Sequence, residues 1–97
     1  MRVRIAADAE ADLEDIADFI ALDNSVRAVS FVGELRKKAI AIGHAPRAYA
    51  ACPDLGTDLR RAIHRSYLIV FRINSNRVEV LRVIHGARDV RKVVRGE

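Results

Sequence analysis

The sequence predicts an α+β domain, in which a two-helix antiparallel hairpin packs on a small, mainly antiparallel sheet in the order β-α-α-β-β-β, with a short C-terminal tail or helix. Three observations lead there. Apolar residues recur at helical spacing between Leu13 and Ile42, both prolines fall in one aperiodic stretch (43–58), and from Leu59 the chain turns to β-branched and aromatic runs. At 97 residues the chain is read as a single domain over 1–97, because a second core would be too small to hold. With 51% hydrophobic and 31% charged residues, the composition is that of a globular protein rather than a disordered segment.

"VRIA" (3–6) reads as a short strand, and Asp8 is a suitable N-cap for a helix whose apolar face is Leu13, Ile16, Ala17 and Ile20. "DNS" (23–25) interrupts that helix and supplies caps for a second, with the stripe Ala28, Phe31, Val32, Leu35, Ala39 and Ile42. Gly43 is a natural C′ residue and Pro46 lies just past it, so the second helix is expected to stop near Ile42. The stretch "GHAPRAYAACPDLGTD" (43–58) is long for a loop in a compact domain, and such loops cover something or bind something. "LRRAIH" (59–64), "YLIVFRI" (67–73) and "RVEVLRVIH" (77–85) then read as a three-stranded meander, separated by Arg65-Ser66 and by Asn74-Ser75-Asn76. Regular alternation in the last strand places Val78, Val80, Arg82 and Ile84 on one side and Glu79, Leu81, Val83 and His85 on the other. Neither side is cleanly polar, so the face away from the helices is expected to keep exposed apolar residues and to serve for docking. "ARDVRKVV" (87–94) is read as a last helical turn or a tail.

The net charge is +4, and its distribution is uneven. Residues 1–34 hold three basic and eight acidic side chains, whereas residues 35–97 hold fourteen and five, an acidic half joined to an arginine-rich one. The basic half suggests an acidic partner, and partial neutralisation between the halves is the plainer reading. No apolar run has the length of a signal peptide or of a membrane span, so a cytoplasmic location without membrane contact is expected. Cys52 is the sole cysteine, and His44 and His64 have no carboxylate or cysteine cluster beside them, so neither a metal site nor a cofactor is expected.

Taken in order, "ADLEDIADFIALDN" (11–24), "RAVSFVGELRKKAIAI" (27–42), Pro46, Leu55-Gly56, "LRRAIHRSYLIVFRI" (59–73) and "VEVLRVIHGARD" (78–89) resemble the ParE branch of the RelE/ParE toxins of toxin–antitoxin modules. One departure is Ser25, where the family more often has a proline after Asn24. The resemblance implies a type II toxin of the kind that stabilises plasmids, which binds and inhibits DNA gyrase and is neutralised by a cognate ParD-like antitoxin. It implies contact with DNA only indirectly, through the antitoxin or gyrase. Under that reading the target-binding residues are Arg82, Arg88, Arg91, Lys92 and Arg95, and the antitoxin-binding residues are Leu13, Ile16, Ile20, Phe31, Leu35 and Tyr67. The RelE-like alternative is a ribosome-dependent messenger-RNA endoribonuclease, which needs proton-transfer groups and cations for the developing phosphate charge. Arg61, Arg82 and His85, with Arg60 beside them, are its candidates. Related ribonucleases carry a tyrosine near the C-terminus, whereas "GARDVRKVVRGE" (86–97) has no aromatic residue. The simplest readings of the closing stretch are a turn or packing role for His85 and a local ion pair or cap for Arg88-Asp89.

Overall fold

The computed structural model describes residues 1–89 of the chain. Its elements are β1 (Arg2–Ile5), α1 (Ala7–Ala21), α2 (Ser25–Ile42), a 3-10 turn (Pro46–Ala48), β2 (Arg60–His64), β3 (Tyr67–Asn74) and β4 (Arg77–His85). The expected order is present, and residues 87–89 close a turn; the rest of the expected tail, 90–94, lies outside the described residues. The sheet runs β1-β4-β3-β2, with β1 parallel to β4 and the other pairs antiparallel. The first strand therefore pairs with the last, and the helix hairpin between them covers one face.

The helical stripes do what their spacing implies. Ala9, Leu13 and Ile16 of α1 and Phe31, Leu35, Ala39 and Ile42 of α2 meet Ala62, Tyr67, Ile69, Phe71, Val78, Val80 and Val83 of the sheet in one core. Two termini differ in detail from expectation. Asp8 lies inside the first turn of α1 rather than capping it; the cap position is Ala6, whose N–H donates to the Val80 carbonyl at 2.8 Å, so strand pairing runs directly into the helix. Asn24 does cap α2, accepting from the Arg27 N–H at 3.0 Å. Gly43 ends α2 with a right-handed φ of −60° rather than the left-handed turn of a C′ glycine. A Cβ there would strike the Met1 carbonyl oxygen and the Val3 side chain, while the N-terminal ammonium donates to the Gly43 oxygen at 2.9 Å. The glycine serves close approach of the N-terminus, not a turn.

Regular alternation in β4 fails at one place. Phe71 pairs with Val80 and Val70 pairs with Arg82, which leaves Leu81 as an extra residue in a β-bulge. Beyond it the faces exchange: Val83 joins Val78 and Val80 in the helix-side core, while Ile84 packs on the opposite face with Val70 and Cys52. That face is only partly the open apolar surface the alternation suggested: Ile63, paired with Leu68, stays exposed on it. The long loop folds across part of it, where Cys52, Leu55 and Leu59 pack on Val70, Ile84 and Leu68. An antiparallel bridge between Ala51 and Arg60 holds the loop in place, as do the Arg60 Nη1 bonds to the Tyr49 and Arg47 carbonyls at 2.7 and 3.4 Å.

Candidate functional site

Helix α1 meets α2 along its inner stripe, but the outer flank of the hairpin is also apolar. Ala17 and Ala21 of α1 and Ala28, Val29, Val32 and Gly33 of α2 line an open groove of about 570 Å³, with Asp18 and Arg36 at its rim. Nothing lies within 4 Å of where a Gly33 side chain would begin, so the groove floor is empty space at that position. Around the hairpin tip Phe19 (58% exposed), Leu22 (81%), Val26 (79%) and Val29 (77%) face solvent. Single exposed apolar residues are ordinary, but Val29 lines the groove and Val26 and Leu22 flank the adjoining turn, so apolar surface extends beside it, whereas Phe19 stands on the other flank of α1 under Arg88. Arg36 meets the Glu10 carboxylate with two bonds of 2.9 and 2.7 Å, which ties the helices together beside the groove and holds the Glu10 carboxyl below its usual range.

This surface differs from the residues singled out for the antitoxin. Leu13, Ile16, Phe31, Leu35 and Tyr67 are buried and Ile20 is half-buried. Burial follows from the stripe itself, because residues at the spacing that makes a helix amphipathic are those the sheet claims. The Phe31 ring lies 5.6 Å from both His64 and Tyr67, and Tyr67 stands edge-on to His85 at 5.3 Å. Glu34 of α2 receives both Arg27 and the His64 Nε2, which joins α2 to β2 and holds the Glu34 carboxyl below its usual range. The exposed set Phe19, Leu22, Val26 and Val29 lies off the buried stripe. Its only signal in the sequence is that apolar residues sit where a two-faced helix would place polar ones.

The second candidate region is the end of β4, where β1 has already stopped and the strand edge is bare. Asp12 of α1 reaches across it. Its Oδ2 accepts the Val83 N–H and the Arg82 Nε, both at 2.8 Å, and its Oδ1 accepts the Arg82 Nη2 at 3.0 Å. The guanidinium of Arg82 is thus engaged, although still partly exposed, and the pair with Asp12 raises its pKa. Downstream, "HGARD" closes on itself. The Ala87 and Arg88 N–H groups both donate to His85 Nδ1 at 3.2 Å, and Asp89 Oδ2 accepts the His85 N–H at 2.8 Å. His85 Nδ1 is therefore occupied as an acceptor by the turn, and only Nε2 remains for other partners. Arg61 and Arg82 flank Val70 on the same row of the sheet, but His85 lies opposite Tyr67, about 10 Å further along by strand rise. These three residues are not gathered around one point. Arg88 is exposed with its guanidinium 5.5 Å above the Phe19 ring, next to the apolar tip. Arg91, Lys92 and Arg95 lie outside the described residues. Among the described residues no group of acidic, histidine or cysteine side chains has metal-binding geometry, and no helix is long and apolar enough to cross a membrane.

A helix hairpin on a mixed four-stranded sheet is the architecture that the resemblance to the ParE-like toxins implies. The fold superposes on a solved structure described as the chromosomal ParDE TA system from P. aeruginosa with a TM-score of 0.77, covering 88% of this chain and 95% of that one at 20% identity. The family described as the ParE toxin of the type II toxin–antitoxin system parDE matches residues 3–90, and the chain belongs to that family. No curated protein gives a match.

Proposed function

We propose that the chain is the toxin of a type II pair, that it acts by binding DNA gyrase, and that a ParD-like antitoxin neutralises it by laying an amphipathic helix in the α1–α2 groove. The groove carries this reading. It offers an apolar floor, no side chain at Gly33, and exposed Val29 with Val26 beside it as contacts for a helix arriving with residues at i, i+3 and i+4. Gyrase as target rests on the family, and the solved relative's own description names a ParDE pair. Action by binding is favoured over RelE-like cleavage because Arg82 is held by Asp12 and His85 Nδ1 by its own turn. The target-facing part of this reading is the basic end that begins at Arg88 and continues through Arg91, Lys92 and Arg95, with the Arg82–Asp12 pair behind it.

A supercoiling assay tests the proposal. The purified protein should inhibit gyrase supercoiling of plasmid DNA, and an equimolar amount of the antitoxin encoded beside it should restore activity. Uninhibited gyrase, together with cleavage of messenger RNA on programmed ribosomes, would reverse the assignment.

A further inference from the structure

The half of the sheet that neither helices nor loop cover is a plane of arginines. Arg2 and Arg4 of β1, Arg72 and Asn74 of β3 and Arg77 and Glu79 of β4 share this face, opposite Val3, Ile5, Phe71, Val78 and Val80 of the core. Glu79 is its one carboxylate. Only 6% exposed, it accepts from Asn74 Nδ2 at 2.8 Å, Arg4 Nη1 at 3.2 Å and Arg72 Nε at 3.3 Å, so its hydrogen bonds go to those three. The register sets Arg2 directly beside Arg77, and among the described residues neither has an acidic partner. Like charges directly opposite in a sheet are unfavourable. Both side chains are exposed, and Glu79, which Arg77 also feels, already serves Asn74, Arg4 and Arg72, so the pair offers positive charge to an external anion. Space for it exists: an open pocket of about 330 Å³ is lined by Arg2, Asn74, Ser75, Asn76 and Arg77, all with polar side chains. One wall is the β3–β4 turn, where Ser75 is held in the left-handed region at φ 57°.

We infer that this face binds the phosphodiester backbone of duplex DNA, with one phosphate seated between Arg2 and Arg77 and its neighbours met by Arg4 and Arg72. Three features select this ligand among anions. A docked acidic peptide would want an apolar or aromatic anchor, and this half-face supplies none, whereas protein–DNA interfaces are polar and positive. Single-stranded nucleic acid is held by stacking on aromatic rings, which are likewise missing from these positions. The guanidinia stand on adjacent strands of a sheet with no helix beside them to enter a groove, so contact is with the backbone and reads no sequence. The inference does not rest on gyrase as target and goes against the expectation of purely indirect DNA contact.

The test uses the whole protein and DNA without a topoisomerase. Anisotropy of a short fluorescein-labelled duplex is measured across a range of sodium chloride, for the parent, for Arg2→Gln/Arg77→Gln, for Arg2→Lys/Arg77→Lys, and for Arg91→Gln/Lys92→Gln/Arg95→Gln as a control for the basic tail. The slope of log K against log salt should become shallower by about 0.9 in the Gln pair, the value for the one phosphate no longer neutralised, and remain near the parental value in the Lys pair. Inorganic phosphate should raise the melting temperature of the parent and not that of the Gln pair. No binding of duplex by the parent, an unchanged slope in the Gln pair, or equal binding of polyglutamate at the same salt would each overturn the inference.

Discussion

Asp12 illustrates how one side chain settles a local problem that the backbone creates. The bulge at Leu81 and the early end of β1 leave the Val83 N–H pointing at no strand, and the Asp12 carboxylate takes that donor together with Arg82. Asp12→Ala should therefore cost about 2 kcal/mol, the range for a buried donor left without a partner, whereas Arg82→Gln should cost less because its guanidinium is half in water. Chemical denaturation of the two variants measures the difference. Glu79 makes the pH-dependent counterpart. Its carboxyl is held below the ordinary 4.5, first by the Asn74 amide and then by Arg72. A folded value below the unfolded one means that its stabilisation is complete above about pH 4.5 and fades as pH falls through the depressed value. Urea midpoints for Glu79→Gln should accordingly decline less between about pH 5 and pH 3 than those of the parent; parallel declines would remove Glu79 from the acid limb. None of these pairings was readable in the sequence, because Asp12 and Val83, or Arg4 and Glu79, are brought together only by the sheet order.

Among the elements the sequence was far more legible. Both helices, the loop and all three strands of the meander lie where periodicity placed them, since each is fixed by an apolar pattern along its length or by a tight turn between strands. The two hairpins use two-residue loops whose first members, Arg65 and Ser75, have φ of 53° and 57°. What failed was alternation across the bulge, because a single extra residue exchanges every later face and leaves no mark in composition. Two glycines, one within α2 and one at its end, separate by surroundings alone. Gly33 faces the empty groove, so Gly33→Ala should raise stability by about 0.5–1 kcal/mol through helix propensity. Gly43 lies against the N-terminal backbone, and Gly43→Ala should lower stability by about 1–3 kcal/mol. Thermal melts of the two variants moving in the same direction would contradict this division.

The molecule as a whole keeps its candidate functional surfaces apart: an apolar groove on the outer helix flank, and arginines on the open half of the sheet. The charge asymmetry of the sequence foretold a basic half, but not that Arg2 and Arg4, from the acidic half of the chain, would join it through the parallel β1–β4 pairing. The residues expected to contact an antitoxin were the most regular apolar ones, and regularity is what assigns a residue to the core. Under the proposed reading, docking falls instead to the irregular apolar residues around the hairpin tip. The decisive experiment is calorimetric titration of the antitoxin encoded beside the gene into the parent protein and into Val26→Asp/Val29→Asp, since both positions are more than three-quarters exposed and the fold does not depend on them. The variant should melt like the parent yet bind at least about tenfold more weakly, a loss of about 1.4 kcal/mol. Undiminished affinity in a folded variant would contradict docking at the hairpin tip and place the antitoxin on another surface.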